Sequence, residues 1–413
     1  MKAGWKTKTL AEVLEKTETT NPLLKPDDEF DYIDVSSVSN QTFTINETQR
    51  LVGQDAPSRA RKLVKTNDIL FATIRPTLQR VAIVPPMLNR QVCSTGYFVL
   101  RPKAEVDHRF LFYYLFTKEF MAQMADLQKG ASYPAVTDAE VRAQFISYPG
   151  SIEQQRIVTL LDEAFASIAT ARAAATQNLQ NARALFESHL QSVFSQKGEG
   201  WTKAKLESIT TKIGSGATPR GGGEAYKNEG VSLIRSLNVH DLQFKYAKLA
   251  FLDELQANEL SNVKIQSRDV LLNITGASVA RCCIVPDDVL PARVNQHVSI
   301  IRPKPEVLVP EFLHYLLISK LYKDKLLTTG EEGGSTRQAI TKAQIQKFAI
   351  TFPKSIEEQA RIVAGLNNFF EESQRLESIY QRKIQALDEL KQSLLQQAFS
   401  GQLTADKKTH KAA

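Results

Sequence analysis

The stretch SIEQQRIV at residues 151–158 returns as SIEEQARIV at residues 355–363, and LQSVFSQ at 190–196 returns as LLQQAFSGQ at 394–402. The closing parts run in step at a constant offset of 205, so that Arg156, Leu190, Phe194 and Ser195 stand opposite Arg361, Leu395, Phe399 and Ser400. A long segment that recurs with its register kept is a repeated building block. Each copy follows a proline (Pro149, Pro353), starts on a serine suited to N-capping, has acidic or amide residues in its first turn and contains no internal proline. Both therefore read as long helices. In the second, Leu376, Tyr380, Leu387, Leu390 and Leu394 follow the four-and-three spacing of a coiled-coil seam. The positions 205 earlier are Ala171, Ala175, Ala182, Leu185 and His189. A bulky seam facing a mostly small one predicts an intramolecular antiparallel pair.

The segments between the helices repeat as well. Trp5-Lys-Thr-Lys-Thr-Leu returns as Trp201-Thr-Lys-Ala-Lys-Leu, Asp68-Ile-Leu as Asp269-Val-Leu, Arg101-Pro-Lys as Arg302-Pro-Lys, and Pro134-Ala-Val-Thr as Gln338-Ala-Ile-Thr. The match lies in apolar framework positions, whereas 57–65 and 258–266 have diverged. Short β-branched runs at 32–35, 69–74, 81–84 and 96–100, and again at 232–234, 270–274, 283–285 and 298–301, are punctuated by Pro, Gly and Asn. Amphipathic helices follow at about 109–127 and 311–326. The expected fold is α+β: two pseudo-repeated mixed α/β domains separated by an antiparallel pair of long helices. The expected boundaries are 1–150 for the first domain, 151–196 for the first helix, 197–354 for the second domain and 355–402 for the second helix. A polar tail at 403–413 is expected to be disordered.

At 413 residues with 42% hydrophobic content, the chain has room for two or more globular domains. The N-terminal MKAGWKTKTL lacks an apolar core, and Cys93, Cys282 and Cys283 are odd in number without CxxC spacing. A soluble cytoplasmic protein without a zinc site is expected. The net charge of +7 is uneven. Residues 197–354 carry 22 basic against 16 acidic side chains, while the helical segments 151–196 and 355–402 are slightly acidic. A polyanionic partner for the globular regions fits this balance.

Signatures of catalysis are missing. The turn GSGATPRGGG at 214–223 lacks the lysine of a phosphate loop. There is no GxGxxG after a strand, no HExxH and no NPP or DPP tetrapeptide. The histidines at 108, 189, 240, 297, 314 and 410 show no metal or nucleophile spacing. The acidic clusters Asp27-Asp28-Glu29 and Glu331-Glu332 read as solvated turns.

The paired helix starts, the LQQAFSGQL ending, the GSGATPRGGG turn with SLIRSLNV after it, and LLNITGASVARCCIV followed by NQHVSIIRPK together resemble the DNA specificity subunit of type I restriction-modification enzymes. The resemblance covers nearly the whole chain. It implies two target recognition domains, each reading half of a bipartite DNA site, with the helices setting the unread gap. It also implies a subunit without catalysis or cofactor of its own. Two modification subunits carrying S-adenosylmethionine would methylate adenine N6, and two ATP- and Mg-dependent restriction subunits would join them. About 44 helical residues span roughly 66 Å, which suits half-sites about one helical turn apart. Phe165, Phe186, Phe369, Phe370 and Phe399 mark apolar helix surfaces that either dock the modification subunits or pack on the adjacent lobes. The competing reading is a non-catalytic coiled-coil scaffold with two protein-binding lobes; a self-sufficient nuclease or methyltransferase is disfavoured by the missing motifs.

Base edges are read by Arg, Lys, Asn and Gln, and phosphates by Lys, Arg, Ser and Thr. In the first lobe the DNA-binding candidates are Arg59, Arg61, Lys62, Arg75, Gln79, Arg80, Ser132 and Tyr133. In the second they are Arg220, Lys227, Arg235, Asn238, Ser278, Arg281, Asn295, Gln296, His297, Thr336 and Arg337. The loops 75–80 and 275–281 occupy matching places and lead the set. Arg101 and Arg302, at strand ends, are assigned to the framework.

Overall fold

The computed structural model describes residues 4–196, 198–219, 221–331 and 339–405. They divide into two compact units, Met1–Thr176 with Arg382–Ala413, and Gln177–Gln381. The long helices Ser151–Ser195 and Ile356–Ser400 each cross this division. Each unit therefore consists of one mixed lobe and half of each helix.

In the first unit the strand Ile69–Ala72 lies between Val81–Ile83 and Tyr97–Leu100, all antiparallel. All four of its residues are buried, because both faces are covered: Ile69 and Phe71 enter the cluster shared with the helices, Leu70 and Ala72 a second cluster under the lobe's outer sheet. That outer sheet has the order Gln49–Val52, Glu29–Ile33, Val92–Ser94, Ala60–Leu63, with Tyr32 and Ile33 parallel to Val92 and Cys93. The second unit repeats the plan. Val270–Asn273 lies between Cys282–Ile284 and Val298–Pro303, with Thr210–Ser215 added at the edge. Val270 and Leu272 face one cluster and Leu271 the other. Val231–Ile234 runs parallel to Ala292–Val294.

Three pairs of polar locks repeat between the units. Arg101 holds the buried Asp68 carboxylate through two bonds of 2.7 Å, and Arg302 holds Asp269 identically, which bears out the framework assignment of both arginines. Gln154, buried at the start of the first long helix, donates from Nε2 to the carbonyls of Glu105 and Pro149 (both 2.9 Å) and accepts from the Asp107 N–H (2.8 Å). Gln359 does the same with Val307 (3.0 Å), Pro353 (2.8 Å) and the Val309 N–H (2.8 Å). Tyr113 donates to Asp162 (2.5 Å) and Tyr315 to Asn367 (2.6 Å), tying each lobe to its long helix about two turns further on.

Within each unit the helix halves run antiparallel. Arg172 pairs with Asp388 in the first; in the second, Arg183 pairs with Glu377, Phe186 packs on Phe370 and His189 stacks on Phe369. The small positions Ala175 and Ala182 are buried as expected, and Ser373 donates to the Ala182 carbonyl at 2.7 Å. The bulky seam departs from its expected phase. Leu376 and Leu390 are exposed, as is Leu185, while Ser373, Leu395 and Ala398 are the buried positions. The reason is that the helix ends follow the lobes: Leu395 and Ala398 belong to the first lobe's core, so the buried stripe shifts to meet it. The five phenylalanines resolve the same way. Phe186 is a member of a lobe core, and Phe165, Phe369, Phe370 and Phe399 are partly buried against one, so all five pack on the adjacent lobes.

Two details were not read from the sequence. The lysine- and threonine-rich repeats form strands, Lys6–Thr9 on Phe145–Tyr148 and Trp201–Lys205 on Ala349–Pro353, which join each lobe's beginning to its end. The helices expected at 109–127 and 311–326 each split in two, into His108–Tyr114 with Lys118–Leu127 and Pro310–Ile318 with Lys320–Glu331. Thr117 caps the second helix of the first pair, and the Ser319 hydroxyl bonds back to the Leu316 carbonyl at 2.6 Å; such short hydroxyl side chains compete with the helical ladder. No described helix is long and apolar enough to cross a membrane.

Candidate nucleic-acid interface

In both units the leading loop follows the buried central strand and is held by a returning segment. In the first, Thr73 is anchored twice on the Gly96 carbonyl, by its N–H (2.9 Å) and its hydroxyl (3.0 Å). Gly96 itself sits where a Cβ would come within 2.5 Å of Val35, so only glycine fits. Residues 129–135 close on themselves through paired Lys129–Ala135 bonds of 2.9 Å and lie alongside, with Ile74 bridged to Ala135 and the Arg75 N–H bonded to the Pro134 carbonyl at 2.6 Å. The second unit reproduces this with Ile274 on the His297 carbonyl (3.0 Å) and Thr275 bridged to Ala339. The sequence match of the Ala-Val-Thr and Ala-Ile-Thr stretches is thus structural. Their threonines, Thr137 and Thr341, both form capping boxes, with Glu140 and Gln344.

The first-lobe candidates separate by what they already hold. Arg75 and Tyr133 are exposed and come together, the guanidinium 5.1 Å from the ring centroid and bonded to the Ser132 carbonyl at 3.2 Å. Gln79 closes the same turn, both Arg75 and Gln79 having positive φ (+51° and +54°). Arg59 is exposed on the neighbouring strand entry. Three others are turned inward. Lys62 donates to the Tyr97 carbonyl (2.6 Å) and Asp138 (2.7 Å), Arg61 to the Ala60 carbonyl (2.9 Å), and Arg80 to the carbonyls of Val35 and Val38 (both 3.1 Å).

In the second lobe a polar chain forms around Gln296. Its Oε1 accepts from Thr218, its Nε2 lies 3.2 Å from His297 Nε2, and His297 Nδ1 lies 2.5 Å from the Thr275 hydroxyl. Gly216 makes this possible, since its Cα lies so close to the Val294 carbonyl that any Cβ would overlap it. Asn295 is buried and accepts from the His297 N–H (3.0 Å), and Asn238 is fully buried on the carbonyls of Lys245 and Ala247. Arg235 lies over Tyr226 (5.0 Å) and donates to the Lys248 carbonyl. Lys227 is exposed, 3.4 Å from Asp253. Ser278 and Arg281 are half-buried on the leading turn. Arg220, Thr336 and Arg337 lie outside the described residues. Sequence reading missed Thr218 and took Thr275 only as the first residue of the leading loop 275–281; the signal for each was its place in a loop that frames Gln296.

The thiols take no part in this surface. Burial pushes Cys93 and Cys283 up to about 12 and raises Cys282 well above the usual thiol range, so all three stay protonated.

Comparison with known proteins places this architecture. The chain matches the family described as the type I restriction modification DNA specificity domain twice, over residues 2–179 and 198–385. It belongs to that family. Each match runs beyond its lobe into the following long helix. The chain is 28% identical over 177 residues, 43% of its length, to the EcoBI specificity subunit of Escherichia coli, and 23% identical over 346 residues, 76% of its length, to the EcoKI specificity subunit of strain K12. The first of these matches spans about a third of the relative (36%), the second 70%. Among solved structures, it is similar at TM-score 0.83 and 28% identity to a chain from work on complex assembly and conformational transition of the type I R-M system. It is similar at TM-score 0.65, again with 28% identity, to the HsdS subunit from Thermoanaerobacter tengcongensis. Both alignments cover 97% of this chain and 98% of the other.

Proposed function

We propose that this chain is the DNA sequence-specificity subunit of a type I restriction-modification complex, with each lobe reading one half of a bipartite target. The observation that carries the reading is the doubled framework with unlike surfaces. The Asp–Arg and Gln locks are repeated bond for bond, while the loops they support present Arg75 with Tyr133 in one lobe and Gln296 with His297 in the other. A repeated scaffold with divergent polar loops is what two different half-sites require, because base edges are read by side chains and the backbone only sets register. The long helices, continuous from one unit into the next, set the number of unread base pairs. The chain supplies recognition, and methyl transfer and ATP-driven cleavage belong to modification and restriction subunits, which carry S-adenosylmethionine, ATP and Mg.

Binding of the chain with its modification subunit to duplex DNA tests this. Affinity that falls steeply with salt and prefers one bipartite sequence supports it. Salt-insensitive behaviour without base preference would replace it with a protein scaffold.

A further inference from the structure

Arg75 is at once fixed, uncompensated and exposed, whereas Arg80, likewise held on carbonyls without a carboxylate partner, is half-buried. Arg50, Lys62, Lys65, Arg101 and Arg109 each face a carboxylate. Arg59 is exposed, but no hydrogen bond among the described residues fixes its side chain. Arg75 faces no carboxylate among the described residues, yet it is held from three sides: by the Tyr133 ring, by the Ser132 carbonyl and by its own N–H on the Pro134 carbonyl. Its backbone sits at φ +51°, a conformation unfavourable for a side chain of this size and sustained by those contacts. Whichever Nη2 hydrogen Ser132 takes, one planar edge with two parallel N–H donors remains. A stacked guanidinium with a free bidentate edge matches the paired acceptors O6 and N7 of guanine in the major groove. Tyr133, 72% exposed, has no packing reason to be there other than as the platform.

Resting on the specificity reading above, we propose that Arg75 reads a guanine in the half-site of the first lobe, with Tyr133 as its positioning residue. The corresponding turn of the second lobe, Gly276–Ser278 between Thr275 and Val279, carries no arginine in that place, so this guanine contact belongs to one half-site only.

The test is the target motif of the enzyme reconstituted with its modification subunit, measured on a DNA library for the wild type, Arg75→Lys, Arg75→Gln, Tyr133→Ala and Tyr133→Phe. The expected wild-type motif contains a G·C pair at which Arg75→Lys, although it keeps the charge, loses about ten-fold discrimination, with every other position unchanged. Tyr133→Ala relaxes the same position and Tyr133→Phe does not, which separates positioning from loop folding. A uniform loss over all sequences in Arg75→Gln, with a salt slope shallower by about 1, would identify a phosphate contact and overturn the inference. An unchanged motif in Arg75→Lys would overturn it too. Absence of any bipartite motif in the wild type brings down the parent reading instead, so the two failures are distinguishable.

Discussion

Replacing Gln359 by methionine removes the lock between the second lobe and its long helix while keeping the side-chain length. Three hydrogen bonds of 2.8–3.0 Å are lost, and the Val309 N–H and the Val307 and Pro353 carbonyls lose this partner around a side chain with no solvent access. A buried group left unpaired costs about 1–3 kcal/mol, roughly 2 for the N–H and less for each carbonyl with its second lone pair. The added apolar burial of the methionine offsets about 1 kcal/mol. The expected loss is therefore about 4 kcal/mol, or a midpoint lower by about 1.5 M urea at a slope of roughly 2.5 kcal/mol per M. Far-ultraviolet circular dichroism through a urea titration measures it. Glu358→Ala, one residue away, breaks only the surface pair with Arg361 and is expected to leave the urea midpoint near the wild type. Gln154→Met is expected to match Gln359→Met, because its three bonds are the same. If Gln359→Met stays within about 1 kcal/mol of the wild type, the glutamine is not the lock, and the reasoning from unpaired buried groups fails.

Three further outcomes follow from the same structure. Burial lowers His314 to about 4, so its neutral form stabilises the fold; that stability is complete above pH ~6.5 and is lost as pH falls toward 4, amounting to about 2 kcal/mol at pH 5. Thermal melts at pH 7.5 and 5 check this, and His314→Gln, which keeps a donor for the Cys282 carbonyl, is expected to remove that share of the pH dependence. Arg302→Ala strands the Asp269 carboxylate, which is expected to cost about 3 kcal/mol, and a second change, Asp269→Leu, to recover part of it; a less stable double variant in chemical denaturation would contradict this. Four residues inserted after Thr176 and after Gln381 lengthen both helices by about 6 Å and are expected to widen the unread gap by about two base pairs; a fixed gap in the methylation motif would show that the helices do not set it.

The doubled helices, their antiparallel pairing and the repeated lobes were legible because they rest on long periodic segments and on framework residues repeated in order. The seam's phase was not, since Leu376 and Leu390 satisfy heptad spacing but the lobe cores decide which face is covered. The splits at Thr117 and Ser319 depend on single hydroxyls that continue an amphipathic pattern without sign of a break. At the candidate interface, residue type selected Lys62, Arg80 and Asn238 equally with Arg75. Only the fold shows that the first three are engaged on backbone carbonyls while Arg75 is held facing outward. Thr218 and Gln296, 78 positions apart, are brought together by a tertiary contact at Gly216 that no local pattern announces.

Recognition of a bipartite site by this chain is read out by the methylome of a host that expresses it with its modification subunit, obtained by single-molecule sequencing. The expected result is one bipartite motif with a methylated adenine in each half, on opposite strands, and a different motif when the first lobe is exchanged. Methylation without a bipartite motif, or a motif indifferent to this chain, would contradict it.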